Sequence, residues 1–194
     1  PEHDLADDAI DMIYGAQKAD ATKEFRLWNS YKDEKAGKYR TGIVAEVKLD
    51  ENSSLLSKQS ITADKSLINC YDVTSKVKFN EKGASFVFAD GKTVLSVADK
   101  KVDEESDVVT VLTFNGTDYN LGGKLSDSYH KIQFKVKTTG EIDVLVDSVK
   151  TVTVNGVTDI EGKIGFTTAA GATLYADDFG VAVYSLCDSA EKSM

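Results

Sequence analysis

From His130 to Val149 the chain reads HKIQFKVKTTGEIDVLVDSV, and apolar and polar residues alternate with little interruption. Ile132, Phe134 and Val136 fall on one face of a strand, and Lys131, Gln133, Lys135 and Lys137 on the other. A period of two marks a half-buried β-strand. TTG supplies a turn, after which Ile142, Val144 and Val146 return on the apolar face. With Val136 opposite Ile142, Lys135 faces Asp143 and Lys131 faces Asp147. Those opposite charges contribute roughly 0.2–1 kcal/mol each and favour the same register as the apolar pattern.

The alternation recurs along most of the chain. CYDVTSKVKF (Cys70 to Phe79) sets Val73, Val77 and Phe79 against Thr74, Lys76 and Lys78. SFVFADGKTVLSV reads as two strands about an Asp-Gly turn, and VVTVLTFNGTDYNL as two about Asn115-Gly116. EFRLW, YRTGIVAEVKL, TVTVNGVTDI, GKIGFTT and the closing LYADDFGVAVY continue the pattern. About a dozen short strands predict an all-β fold, a two-sheet antiparallel β-sandwich. Leu5 to Ala19 reads either as a short helix ended by Gly15 or as an edge segment. With no low-complexity linker and no repeat, residues 1–194 read as one domain.

From about Cys70 to Tyr184 the order of motifs is YDVTSKVKF, YHKIQFKV, GEIDVLVDSV, GKIGFTT and YADDFGVAVY. In that order they resemble the concanavalin-A-like, laminin-G-like jelly rolls of extracellular bacterial proteins. Two positions depart from the family pattern: Tyr129 stands where Trp is frequent, and Ser148 where Gly follows the hairpin Asp. The resemblance implies a jelly-roll sandwich with a curved concave face. It covers carbohydrate-binding modules, adhesins, lectin domains and glycoside hydrolases, so it leaves function to the site.

Composition narrows the classes. The net charge of −9, from 23 basic and 32 acidic residues, disfavours nucleic acid and anionic lipid, which need clustered Lys and Arg. No run of about 18 apolar residues is present, which excludes a membrane-inserted helix. The chain opens PEHDL without Met, as a matured or excised piece of a longer protein would. Cys70 and Cys187 form no CxxC, which argues against zinc. A disulfide between them requires an irregular strand end or a bulge, because regular pairing points one outward and the other inward.

GEIDVLVD (Gly140 to Asp147) resembles the catalytic strand of laminarinase-like enzymes. The resemblance makes Glu141 the nucleophile and Asp143 its helper, but the acid/base position falls on Leu145, or on Val146 with a bulge. Neither donates a proton. Asp147 lies six residues from Glu141, roughly 20 Å along an extended strand, against the 5–5.5 Å a retaining glycosidase needs. DGKT (Asp90 to Thr93) lacks the glycine-rich loop of a phosphate-binding motif. His130, flanked by Tyr129 and Lys131, shows no Ser–Asp arrangement in the sequence. The chain therefore reads as a non-enzyme.

Sugars stack on aromatic rings and give their hydroxyls to polar side chains. The candidate rings are Trp28, Tyr31, Tyr39, Tyr119, Tyr129 and Tyr175. Two clusters are singled out as ligand-binding: Trp28, Asn29 and Tyr31 after an early strand, and Asp118, Tyr119 and Asn120 near a hairpin tip. In several jelly-roll families a carboxylate placed like Asp177 or Asp178 holds a structural calcium with backbone carbonyls. The resulting expectation is a non-catalytic carbohydrate-binding module of a secreted or cell-surface protein, with a glycan as partner. The alternatives are a structural or adhesive domain contacting a protein, and a divergent glycoside hydrolase.

Overall fold

A computed structural model describes residues 22–30, 38–62 and 70–184. The segment 5–19, Tyr31 and Cys187 lie outside the described residues. Among the described residues fifteen strands run in chain order: β1 (Thr22–Phe25), β2 (Trp28–Ser30), β3 (Lys38–Ile43), β4 (Val47–Leu49), β5 (Ser54–Ser57), β6 (Cys70–Phe79), β7 (Ala84–Phe88), β8 (Thr93–Lys101), β9 (Val108–Phe114), β10 (Thr117–Asn120), β11 (His130–Lys137), β12 (Ile142–Val146), β13 (Val149–Val154), β14 (Gly165–Thr167) and β15 (Leu174–Tyr184). The first sheet has the order β1-β5-β14-β7-β8-β9-β10. The second has the order β13-β12-β11-β6-β15-β3-β2, with β4 also pairing to β15. Only β1 and β5 pair in parallel among the described strands.

The two sheets pack as the expected sandwich. Each contributes one apolar face to a shared core, which removes the alternate residues of every long strand from water. Phenylalanine rings tie the sheets together. Phe134 of β11 packs against Phe86 at 4.8 Å and Phe88 at 5.4 Å, both on β7. Phe86 meets Phe166, Phe166 meets Phe179, and Phe179 meets Phe25 of β1. Tyr71 is fully buried in the same core, and its hydroxyl donates to the Ile160 carbonyl at 2.6 Å. Burial, with Glu161 adding to it, pushes the Tyr71 phenol far up, so it remains a donor. Tyr71→Phe should cost about 1–2 kcal/mol in urea unfolding, because it leaves a buried carbonyl without its partner.

The hairpin register is the expected one: Val136 pairs Ile142 and Lys135 pairs Asp143. Around this register, Asp143 gains further lysines and Asp147 takes other partners. Asp143 is bound by Lys137 at 3.1 Å and by Lys150 of β13 at 3.5 Å. Asp147 turns to the His130 ring and to the backbone N–H of Lys131, not to the Lys131 ammonium. A third strand supplies Lys150, and the β12–β13 turn redirects Asp147. That turn has left-handed φ at Asp147 (49°) and Ser148 (70°), a two-residue geometry in which Asn-Gly is preferred.

Three apolar runs also differ from a regular reading. EFRLW is two strands, because the chain leaves the first sheet after Phe25 and enters the second at Trp28. YRTGIVAEVKL likewise splits into β3 and β4. β15 carries a bulge between Asp177 and Gly180, with Asp178 at φ 48°. Before the bulge, Leu174 and Ala176 face the core; after it, Phe179 and Val181 do. The irregularity therefore shifts the inward set from even to odd and leaves Tyr175 and Asp177 on the outer face. Cys70, opposite Tyr184 at the far end of this pairing, is buried and disulfide-bonded.

Candidate functional site

The outer face of the second sheet is built in rows, because residues directly opposite one another on neighbouring strands point the same way. One row places Lys78 of β6 opposite Tyr175 of β15, and Tyr175 opposite Lys48 of β4. Tyr129, one residue ahead of β11, closes this row: the Lys78 ammonium lies 5.3 Å from its ring centre and 4.6 Å from that of Tyr175. Lys48 lies 5.9 Å from the Tyr175 ring on the other side. Each lysine gains from the negative face of an aromatic ring and holds that ring in place.

The next row reads Lys131, Lys76, Asp177. Together with Glu46, Tyr129, His130 and Asp147 these residues line an open depression of about 430 Å³. A second hollow of about 230 Å³, lined by Lys78, Asn80, Asp127 and Tyr175 among others, adjoins it. Tyr129 is 40% exposed, which is unusual for so large a ring, and its hydroxyl donates to the Glu46 carboxylate. Partial burial, that hydrogen bond and the charges of Glu46 and Asp177 all push the phenol upward, so it stays protonated.

The third row runs Gln133, Thr74, Gly180, Thr41, Trp28. Gly180 has no side chain, which leaves this row open in the middle. Trp28 ends it at the sheet edge, half-buried, with the Arg26 guanidinium 4.1 Å from its ring centre. Trp28 therefore shares a face with Tyr129 and Tyr175. Asn29 follows it on β2, one position out of phase with that row.

Asp118, Tyr119 and Asn120 sit on β10, the edge strand of the other sheet. Asp118 is tied to Lys100 at 3.1 Å and to the Thr113 hydroxyl at 2.6 Å, and these bonds hold its carboxyl below the ordinary range. Asn120 accepts the Gly122 N–H, and Tyr119 packs against the core. These groups are spent within their own hairpin and its neighbour, and the fold does not bring them to Trp28.

At the β15 bulge, Asp178 pairs with Lys76 at 3.2 Å and Asp177 accepts the Asp178 N–H at 2.8 Å. Calcium takes six to eight oxygens and would have to displace the Lys76 ammonium here. No group of three or more metal-ligating side chains gathers among the described residues.

His130 joins Asp147 through Nδ1 at 2.8 Å and Ser128 through Nε2 at 3.0 Å. Sequence reasoning missed this trio, because only the hairpin turn brings Asp147 back to His130. His130 and Asp147 line the depression, and the Ser128 hydroxyl lies 3.0 Å from the imidazole Nε2. The trio works as a clasp that fixes the imidazole at the rim. The hydrogen bond from His130 holds the Asp147 carboxyl below its ordinary range.

On the fourth row, Asp72 and Asp143 flank Lys135. Burial pushes Asp72 up, against the pull of Lys135 and the Gln133 hydrogen bond, and its Oδ1 has no hydrogen-bond partner among the described residues. Burial also acts to raise Asp143, but Thr153, Lys137 and Lys150 outweigh it and hold it below the ordinary value of 3.8. For Asp143 the folded-state value is depressed, so its stabilisation is present above the ordinary value and is lost as pH falls through the folded one. Asp72 acts with the opposite sign. Urea unfolding at pH 7 and pH 3 tests this: Asp143→Asn should be clearly less stable than the parent at pH 7, and the gap should narrow at pH 3.

No protein-family model matches the chain, and no curated protein matches it. Among solved structures it is similar to a sialidase, at 10% identity over 82% of this chain and 17% of that one, with a TM-score of 0.48. It thus spans 17% of that sialidase's length. It is also similar to the carbohydrate binding module CBM66 from Bacillus subtilis, at 12% identity over 86% of this chain and 96% of that one (TM-score 0.36). A third is the Emp47p carbohydrate recognition domain, at 11% identity over 81% of this chain and 94% of that one (TM-score 0.47). At these identities the similarity is one of β-sandwich architecture.

Proposed function

We propose that this protein is a non-catalytic carbohydrate-binding module of the concanavalin-A-like type, working outside the cell, and that it binds a glycan on the outer face of the second sheet. The observation that carries the reading is the exposed Tyr129 ring, held beside Tyr175 by Lys78 over an open depression of about 430 Å³. A sugar has apolar C–H faces and a polar rim. It is matched by rings set among ammonium, carboxylate and imidazole groups, and this face offers all of them in two adjacent rows. The carboxylates of the GEIDVLVD strand favour the same reading. Asp143 is buried and bound by two lysines, and Asp147 belongs to the His130 clasp.

Trp28 stands on the same face and reports on it. Titration with soluble plant, host and microbial glycans should give a saturable change in its fluorescence and a rise in thermal midpoint with one glycan class. Tyr129→Ala should weaken that response by roughly ten-fold, the size of a single buried aromatic anchor. A panel that stays silent with and without calcium would sink the reading in favour of a protein contact.

A further inference from the structure

We infer that the glycan held on this face is anionic, with its carboxylate or sulfate groups received by Lys131 and Lys78; this inference rests on the glycan-binding reading above. The chain carries a net charge of −9, yet Lys48, Lys76, Lys78 and Lys131 meet in two neighbouring rows of one face. Lys131 and Lys76 are direct cross-strand partners. Like charges directly opposite one another destabilise a sheet; Asp178 offsets Lys76 at 3.2 Å, which leaves the Lys131 ammonium as the charge of this pair open to a ligand anion.

Two of these cations are already paired, Lys48 with Asp50 at 3.5 Å and Lys76 with Asp178 at 3.2 Å, and the other carboxylates of the face are held by donors other than Lys78 and the Lys131 ammonium. Glu46 takes the Tyr129 hydroxyl, Asp147 takes His130 and the Lys131 backbone N–H, Asp177 takes the Asp178 N–H, and Asp178 takes Lys76. Every one of those carboxylates has a donor from the protein. By contrast, Lys131 and Lys78 have no carboxylate within ion-pair distance among the described residues; Lys78 meets ring faces only. Two unpaired ammonium groups, one beside the depression and one between the two tyrosines, are placed for an acidic group and a stacked ring on the same ligand.

The test measures binding of the full chain, by calorimetry at low salt, to polygalacturonate, dextran sulfate, neutral galactan, neutral dextran and poly-glutamate. The expected result is binding to a charged polysaccharide, with poly-glutamate and the neutral glycans at least ten-fold weaker. The Lys78→Gln/Lys131→Gln double variant should lose about ten-fold, and 0.5 M salt should weaken binding similarly. A response to polygalacturonate alone assigns carboxylate as the group; one to dextran sulfate alone assigns sulfate. Equal binding of neutral glycans, unaffected by the double variant, would overturn the anionic inference and leave the glycan reading standing. Poly-glutamate binding as tightly as the polysaccharides would reduce the face to plain ion exchange and overturn it too. Charged-glycan binding untouched by the double variant would place the cations elsewhere and overturn the assignment to these lysines. No binding to any polymer would count against both readings.

Discussion

Replacing Phe134 with alanine lowers the unfolding free energy by about 3–5 kcal/mol, the range for deleting a large aromatic from a packed core. Phe134 is 2% exposed and is the point where β11 of one sheet touches β7 of the other through two rings. Its removal forfeits the transfer energy of the ring, two ring contacts and the packing of the void left behind. Phe86 and Phe88 sit on one strand, and Phe86 is held by Phe166 as well, so the site collapses only in part. Urea unfolding should show a lower midpoint with an unchanged slope. A loss below about 1 kcal/mol would mean that the sheets are held together elsewhere.

The double variant Tyr129→Ala/Tyr175→Ala is expected to lose roughly a hundred-fold in glycan affinity, about 2–3 kcal/mol, while stability changes by no more than about 1 kcal/mol. The asymmetry follows from position. Tyr129 is 40% exposed and Tyr175 half-buried, so neither belongs to the core, yet both frame the space between the two hollows of the face. Calorimetry of the parent and variant with the same glycan, alongside a melt of each, separates the two quantities. Equal losses of affinity and stability would mean that the tyrosines act through the fold and not through the ligand.

The strands were legible because period-two patterning and turn chemistry are local. The β11–β12 hairpin is the clearest case, with apolar face, turn and register agreeing at every position. Asn115-Gly116 likewise announced its hairpin. The candidate site was legible only as a set of separate rings. Trp28, Tyr129 and Tyr175 were each recognisable as candidates, but what unites them is the neighbour order β11-β6-β15-β3-β2, which pairs residues as many as about a hundred positions apart or more. The β15 bulge is also invisible to a pattern of alternation: without it, Tyr175 and Val181 would point the same way. Asp118, Tyr119 and Asn120 fall on the other sheet, where Asp118 and Asn120 bond within their own hairpin and its neighbours. Sequence proximity missed the His130 clasp because Ser128 and Asp147 stand on opposite sides of a turn.

Backbone amide shifts, mapped as the chain is titrated with soluble plant, host and microbial glycans, test glycan binding on the outer face most directly. Saturable shifts are expected with one glycan class, concentrated on β4, β6, β11 and β15 around Tyr129, Lys78 and Tyr175. Shifts concentrated on β10 around Asp118 to Asn120, or a panel that moves no amide, would contradict a site on that face.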